Sequence, residues 1–340
     1  MKKFFVVAMV AMLAVLGVSS VAAQDLGSEG NPIQVYFVPS AEAQTLLEGG
    51  EVLRTALEEA TGLSFEVFVP TSYAATVEAM CASPANSMGF IPAAAYVIGS
   101  ARCDLQVEAA AVRFGWPVYW AQYLVARDSD IYTLGDLEGK TWAYPDAGST
   151  SGYIVPSVEL QAAGIEPGEG VEAGGHNQAV LAVYNGEVDF ATSFYSPPVM
   201  PGAAWSDGDL PEPYDLTIDE AFINDEGRLY VGDIRIMDSR SSVRETAPDI
   251  VDKVRILRIS APIPNDTMSF GSEFPIEIRE EIMSAIIAFS ETEDWAMSAL
   301  GSEDGYSWST ISPVEDKLFD SVRLQFEILG LTEEDVFGDS

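Results

Sequence analysis

The chain has 340 residues, 48% of them hydrophobic, with 53 acidic against 17 basic side chains and one histidine, for a formal charge of −36. Such a charge disfavours nucleic acid as a partner, because phosphate backbones need a basic face. Cys81, Cys103 and His176 are too few to make a zinc site of the usual His/Cys type, and the chain calls for no cofactor.

At the N-terminus, Lys2 and Lys3 precede an apolar run over residues 4–18 and small residues ending Val21-Ala22-Ala23. This reads as a secretory signal peptide over residues 1–23, cut after Ala23. The apolar run is short for a segment that crosses a bilayer, which needs ~20 residues; an uncleaved anchor is the alternative. Export predicts a soluble protein outside the cytoplasmic membrane. Removing Lys2 and Lys3 takes the charge from −36 to −38, a solubilising exterior in the simplest reading. The remaining ~317 residues exceed what one core usually serves, so two lobes are expected. In an oxidising compartment the even cysteine count points to a Cys81–Cys103 disulfide closing a loop of about twenty residues, with free buried thiols as the alternative.

After a leader over 24–31, residues 33–38 read as a strand and 40–60 as a helix ended by Gly62. A strand at 64–69, a helix to Met80, a strand at 87–91 and a helix at 92–99 continue the β-α rhythm of an open, largely parallel sheet. Residues 118–126 read as a strand leaving the first lobe. The second lobe is expected over 127–257, with a strand at 141–144, helices at 150–163 and 177–184, a strand at 188–194 and a return strand at 254–260. Residues 24–126 and 258–340 make the first lobe, closed by an amphipathic helix with Ile276, Ile282, Ile286 and Ile287 on one face. Residues 197–229, rich in Pro, Gly and acids, read as an irregular insertion on the second lobe.

The acidic surface sets a condition on any anionic ligand: the long-range field opposes its approach, so short-range donors must hold it. Asp146-Ala147-Gly148-Ser149-Thr150-Ser151-Gly152-Tyr153 meets that condition. It follows a strand and opens a helix, so three hydroxyls join the free N–H groups of a helix N-terminus, which carries roughly +0.5 charge and holds an oxyanion without lysine or arginine. Simple N-capping is the blander account. Gly174-Gly175-His176-Asn177 leads into a second helix start, where the only histidine can donate to the same ligand.

Residues 136–141 (Asp-Leu-Glu-Gly-Lys-Thr), the hydroxyl run with Pro156, Gly186-Glu187-Val188-Asp189, residues 69–75 and residues 260–264 together resemble the phosphate/phosphite/phosphonate-binding proteins of ABC importers. That resemblance implies an α/β fold of the type II periplasmic-binding class: two lobes, two strand crossings and an enclosed ligand. It implies that Ser149, Thr150, Ser151 and His176 hold the phosphorus oxygens from the second lobe, with Tyr73 and Tyr119 facing them. Asp266 falls where relatives that bind aminoalkylphosphonates place a carboxylate for the ammonium. Their second carboxylate, after the Gly-x-Val-Asp strand, is replaced here by Tyr195-Ser196-Pro197-Pro198. The resemblance therefore favours phosphate, phosphite or a simple alkylphosphonate, carried by a monomer to a membrane permease and its ATPase.

A serine hydrolase is disfavoured, since 148–152 puts Thr150 where a nucleophile elbow needs serine. Carboxylates and histidines are not spaced for a metal-dependent phosphatase. Receptors for sulfonates, taurine or pyrimidines remain the alternatives within the same fold, although a flat ring calls for paired aromatics in place of the hydroxyls.

Overall fold

Short runs of β-branched and aromatic residues, set between helices with one apolar stripe each, build two separate sheets rather than one. The computed structural model describes residues 25–330 and 332; the expected signal peptide and its cleavage site lie outside them. The first lobe opens with β1 (Ile33–Phe37), α1 (Ala43–Thr61), β2 (Phe65–Phe68), α2 (Tyr73–Ala82), β3 (Ser87–Ile91), α3 (Ala93–Cys103) and β4 (Gln106–Val112). β1 pairs in parallel with both β2 and β3. Buried on two faces, it is apolar nearly throughout, as interior parallel strands are. In α1, Leu46, Leu53 and Leu57 fall on one buried stripe, and Gly62 ends the helix at φ 70°. Cys81 and Cys103 are bonded, with Cα atoms 5.6 Å apart, and tie α2 to α3.

The second sheet takes β5 (Val118–Ala126), β6 (Trp142–Tyr144), β7 (Gly170–Glu172) and β8 (Phe190–Tyr195), with α4 (Val155–Ala162) and α5 (His176–Tyr184) between them. A small antiparallel sheet follows, made of β9 (Ala221–Ile223), β10 (Leu229–Val231) and β11 (Ile234–Arg235). The chain returns through α6 (Ile250–Lys253), β12 (Val254–Ile259), β13 (Ile263–Pro264) and β14 (Thr267–Phe270), then ends with α7 (Ile276–Ser290), β15 (Thr310–Pro313) and α8 (Asp320–Leu329). The strand orders are β15-β4-β14-β3-β1-β2 and β12-β5-β8-β6-β7. The expected edges at 126/127 and 257/258 therefore move. β5 lies in the second sheet, paired with β8 and β12, and β12 runs beside it to Ile259. Their ladder bonds hold these strands to the second lobe, and the crossings are the short links beyond them. The first link is a turn with Phe114 and Gly115 at φ 51° and 82°. The second is laced to it where Asn265 donates to the Trp116 carbonyl at 2.9 Å, and Ile263 pairs with Tyr119 at the start of β5.

The insertion has no helix or strand before Ala221, as its composition suggests, but it is anchored by buried side chains. Trp205 is 2% exposed and meets Trp116, Trp120 and Tyr195 edge-on at 5.1–5.9 Å between ring centroids. Fully buried Arg240 grips Asp238 through two bonds of 2.9 Å and takes Glu212 and Tyr214 of the insertion as further partners. A buried guanidinium needs that many acceptors, and removing one is expensive. The proline- and acid-rich run is thus pinned through its first half and middle, and its end supplies β9 to the small sheet.

Candidate functional site

Between the lobes lies a cavity of about 80 Å³, room for roughly half a dozen waters at ~10–15 Å³ each. Ser149, Ser151, His176, Tyr73, Tyr119 and Asp266 all line it. Thr150 does not: its Oγ1 accepts from the Ala94 N–H at 2.9 Å, capping α3 of the opposite lobe. The hydroxyl triplet is therefore divided in use, two members facing the cavity and one bridging the lobes.

The backbone at this point is specific. The helix expected from residue 150 begins as a wide π turn over Thr150–Ile154, in which the Ser149 carbonyl accepts from Ile154. Pro156 has no N–H, so it cannot reach back to the Gly152 carbonyl. Thr192 donates its hydroxyl to that carbonyl instead. Wide turns of this kind recur at functional sites. A side chain at 152 would bring Cβ to 2.3 Å from Pro145 Cδ, so only glycine fits. Ser149 accepts from the Gly152 N–H, an ordinary cap, and its own proton stays available to a ligand. Asp146 takes the Gly148 N–H at 2.7 Å and reaches the Tyr73 N–H across the cleft at 3.4 Å.

His176 is the first residue of α5, where Gly174 adopts φ 81° to turn the chain into the helix. Its Nδ1 lies 2.8 Å from Ser193 Oγ and its ring packs edge-on against Phe194. Burial, with a smaller contribution from the Arg113 cation, lowers its pKa to about 3, so the ring is neutral near pH 7. Burial and then the Asp266 carboxylate push the Tyr119 phenol up, and burial and Asp146 do the same for Tyr73. Both phenols keep their protons and can donate.

The largest omission of the sequence reading is cationic. Arg113, in the first crossing, lies in the cavity wall with Nη2 2.5 Å from Asp266 Oδ2, Nε 3.0 Å from the Tyr306 carbonyl and its plane over the Tyr119 ring. The sequence reading looks to helix N-termini and hydroxyls for donors and does not single out this arginine. A lone arginine at a strand end carries no motif, and only its nearness to Tyr119 in the crossing hinted at it. At the mouth, Arg228 and Arg235 meet Glu303 of the first lobe at 3.1 and 2.7 Å, and Arg244 meets Asp304 at 3.3 Å. Burial pushes the Glu303 carboxyl up, but Arg235 and Arg228 more than offset this and hold it below the ordinary range. The lining gathers four arginines in a chain of formal charge −36, and four carboxylates, Asp266, Glu226, Glu303 and Asp304, pair with them.

Residues 35–317 match the family described as "ABC transporter, phosphonate, periplasmic substrate-binding protein". A curated relative, the phosphate-import protein PhnD of Mycolicibacterium smegmatis, is 31% identical over 202 residues. That alignment takes in 55% of this chain and 63% of the relative, under two thirds of its length. Among solved structures, a binding-protein component of an ABC phosphonate transporter from Pseudomonas aeruginosa superposes with a TM-score of 0.63 at 17% identity, over 86% of this chain and 85% of that one. PhnD1 of Prochlorococcus marinus, solved in complex with methylphosphonate, gives 0.63 at 12% identity, over 88% and 98%. At such identities the superpositions establish the two-lobed type II architecture. The family match over most of the chain establishes more: this protein belongs to the periplasmic substrate-binding proteins of phosphonate ABC transporters.

Proposed function

We propose that this chain captures a small phosphorus oxyanion without an amino substituent, namely phosphate, phosphite or a simple alkylphosphonate, and hands it as a closed monomer to a membrane permease driven by an ATPase. The observation that carries the reading is the pairing of Asp266 with Arg113. A ligand ammonium would have to compete with the guanidinium for that carboxylate, whereas a phosphorus oxyanion meets the same guanidinium together with Ser149, Ser151, Tyr73, Tyr119 and His176 as donors. The arginines of the lining support the reading, since they give an anion short-range donors inside an otherwise repelling protein.

Closure of the lobes over the ligand is part of the proposal. The bonds from Thr150 to Ala94, Asp146 to Tyr73 and Gln178 to Glu42 all cross the cleft, so a hinge at the two crossings would make or break them together. A thermal-shift screen of ligand-free protein against phosphate, phosphite, methylphosphonate, 2-aminoethylphosphonate, sulfate and taurine tests the assignment. Binding at a hundred times Kd stabilises the native state by about 2.7 kcal/mol. The expected result is a shift with phosphate, phosphite or methylphosphonate and none with taurine. A shift with 2-aminoethylphosphonate alone would overturn the role given to Arg113 and Asp266.

A further inference from the structure

Resting on that reading, we propose that Ser193 is a positioning residue that fixes His176 as the Nε2–H tautomer, so that the ring offers the ligand a proton and not a lone pair. The argument is hydrogen-bond accounting. Ser193 is fully buried on β8, and among the described residues its Oγ has one partner, His176 Nδ1 at 2.8 Å. Buried hydroxyl protons are almost always used. If Nδ1 carried the ring proton and gave it to Oγ, the serine proton would be stranded in the core. If Ser193 donates, Nδ1 is the acceptor and the single proton of a neutral imidazole sits on Nε2.

That nitrogen has no protein partner among the described residues, and the ring is part of the cavity wall. The wrong tautomer would therefore fail twice, stranding a proton behind the ring and aiming a lone pair at an anion in front of it. A neighbouring donor follows the same arrangement. Ser149, which lines the cavity, accepts the Gly152 N–H and so keeps its own proton for a ligand. Ser193 does for the imidazole what the backbone does for this hydroxyl.

Because His176 is the only histidine in the chain, the ring nitrogens can be read directly by ¹⁵N NMR on protein prepared without a histidine tag. At pH 7 the expected spectrum shows a pyridine-type Nδ1 and a proton-bearing Nε2, unchanged on saturation with methylphosphonate or inorganic phosphate. Ser193→Ala should give a mixture of tautomers and weaken whichever of the two probes binds in proportion to the fraction of rings left in the Nε2–H form, about twofold for an even mixture. Ser193→Thr, which keeps the hydroxyl, should restore both. A proton-bearing Nδ1 in the wild type overturns the proposal, and so does Ser193→Ala with wild-type affinity. If neither probe binds the wild type, the proposed function fails on its own, while the nitrogen spectrum still decides the tautomer.

Discussion

The floor of the cleft and its mouth are lined by different kinds of donor. On the floor, most of the donors are neutral: hydroxyls of Ser149 and Ser151, the phenols of Tyr73 and Tyr119, and an imidazole kept uncharged by burial. The one cation there, Arg113, is matched by Asp266. At the mouth, Arg228, Arg235 and Arg244 face Glu303 and Asp304 across the gap between the lobes. The division follows depth. Charges deep in the protein are costly to desolvate and must be paired, whereas partly exposed ones are tolerated but screened by salt. The floor should therefore set affinity and selectivity, and the mouth should act on the rate and salt dependence of closure.

The largest effect is expected from Thr150→Ala with Ser151→Ala, which removes one cavity donor and one bond across the cleft. Lost hydrogen bonds to charged groups are worth ~1.5–3 kcal/mol. Allowing half of that range for Thr150, whose partner is a neutral N–H, affinity should fall by roughly a hundredfold in titration calorimetry with whichever phosphorus ligand the screen identifies. Unchanged affinity would move the site away from the π turn. Next comes Arg113→Met, which leaves Asp266 unpaired beside the ligand. A loss of about tenfold or more is expected, with partial recovery in Arg113→Met/Asp266→Asn, because the second change removes the repelling carboxylate. No recovery would mean that the whole loss is that of the guanidinium's own bonds to the ligand and that Asp266 is incidental.

A neutral floor also has a pH signature. His176 has a folded pKa of about 3 against 6.5 ordinarily, so below 6.5 the unfolded chain takes up a proton that the native state refuses. Its contribution to stability is complete above 6.5 and declines as pH falls toward 3, by about 1.4 kcal/mol per unit once well below 6.5. Urea unfolding of wild type and His176→Asn between pH 6.5 and 5 should show a shallower slope for the variant. Equal slopes would mean that the ring is not buried neutral.

The legible and illegible parts of the site differ in kind. The hydroxyl run and the glycine-led histidine were visible because helix starts leave a local record: a strand, a turn residue, a cap and a helical periodicity within a few positions. Their lining of one cavity follows from both helices opening at the same end of one sheet. Arg113 left no such record. Its role depends on the pairing of β4 with β14, which brings residues 113 and 266 together across some 150 positions of chain. The separate use of Thr150 was equally hidden, since its partner Ala94 lies on the other lobe. The insertion is irregular up to Ala221, as its composition suggests, but its anchors were hidden for a related reason: Trp205, Glu212 and Tyr214 take buried partners elsewhere in the chain.

The smallest effect is expected at the mouth, and it is the one that tests whether depth is the right distinction. Glu303 bridges Arg228 and Arg235 while remaining partly open to solvent. Replacing it with glutamine removes ion pairs of a class worth about 0–1 kcal/mol. Affinity should change by less than about fivefold at low salt and by nothing measurable at high salt, where the wild-type pairs are themselves screened. Small-angle scattering with saturating ligand should still show compaction, because the bonds from Thr150 to Ala94 and from Asp146 to Tyr73 remain to hold the lobes. If Glu303→Gln instead abolished compaction, the ion pairs would be the principal closure contacts, and the neutral donors beneath them would depend on the mouth rather than the reverse.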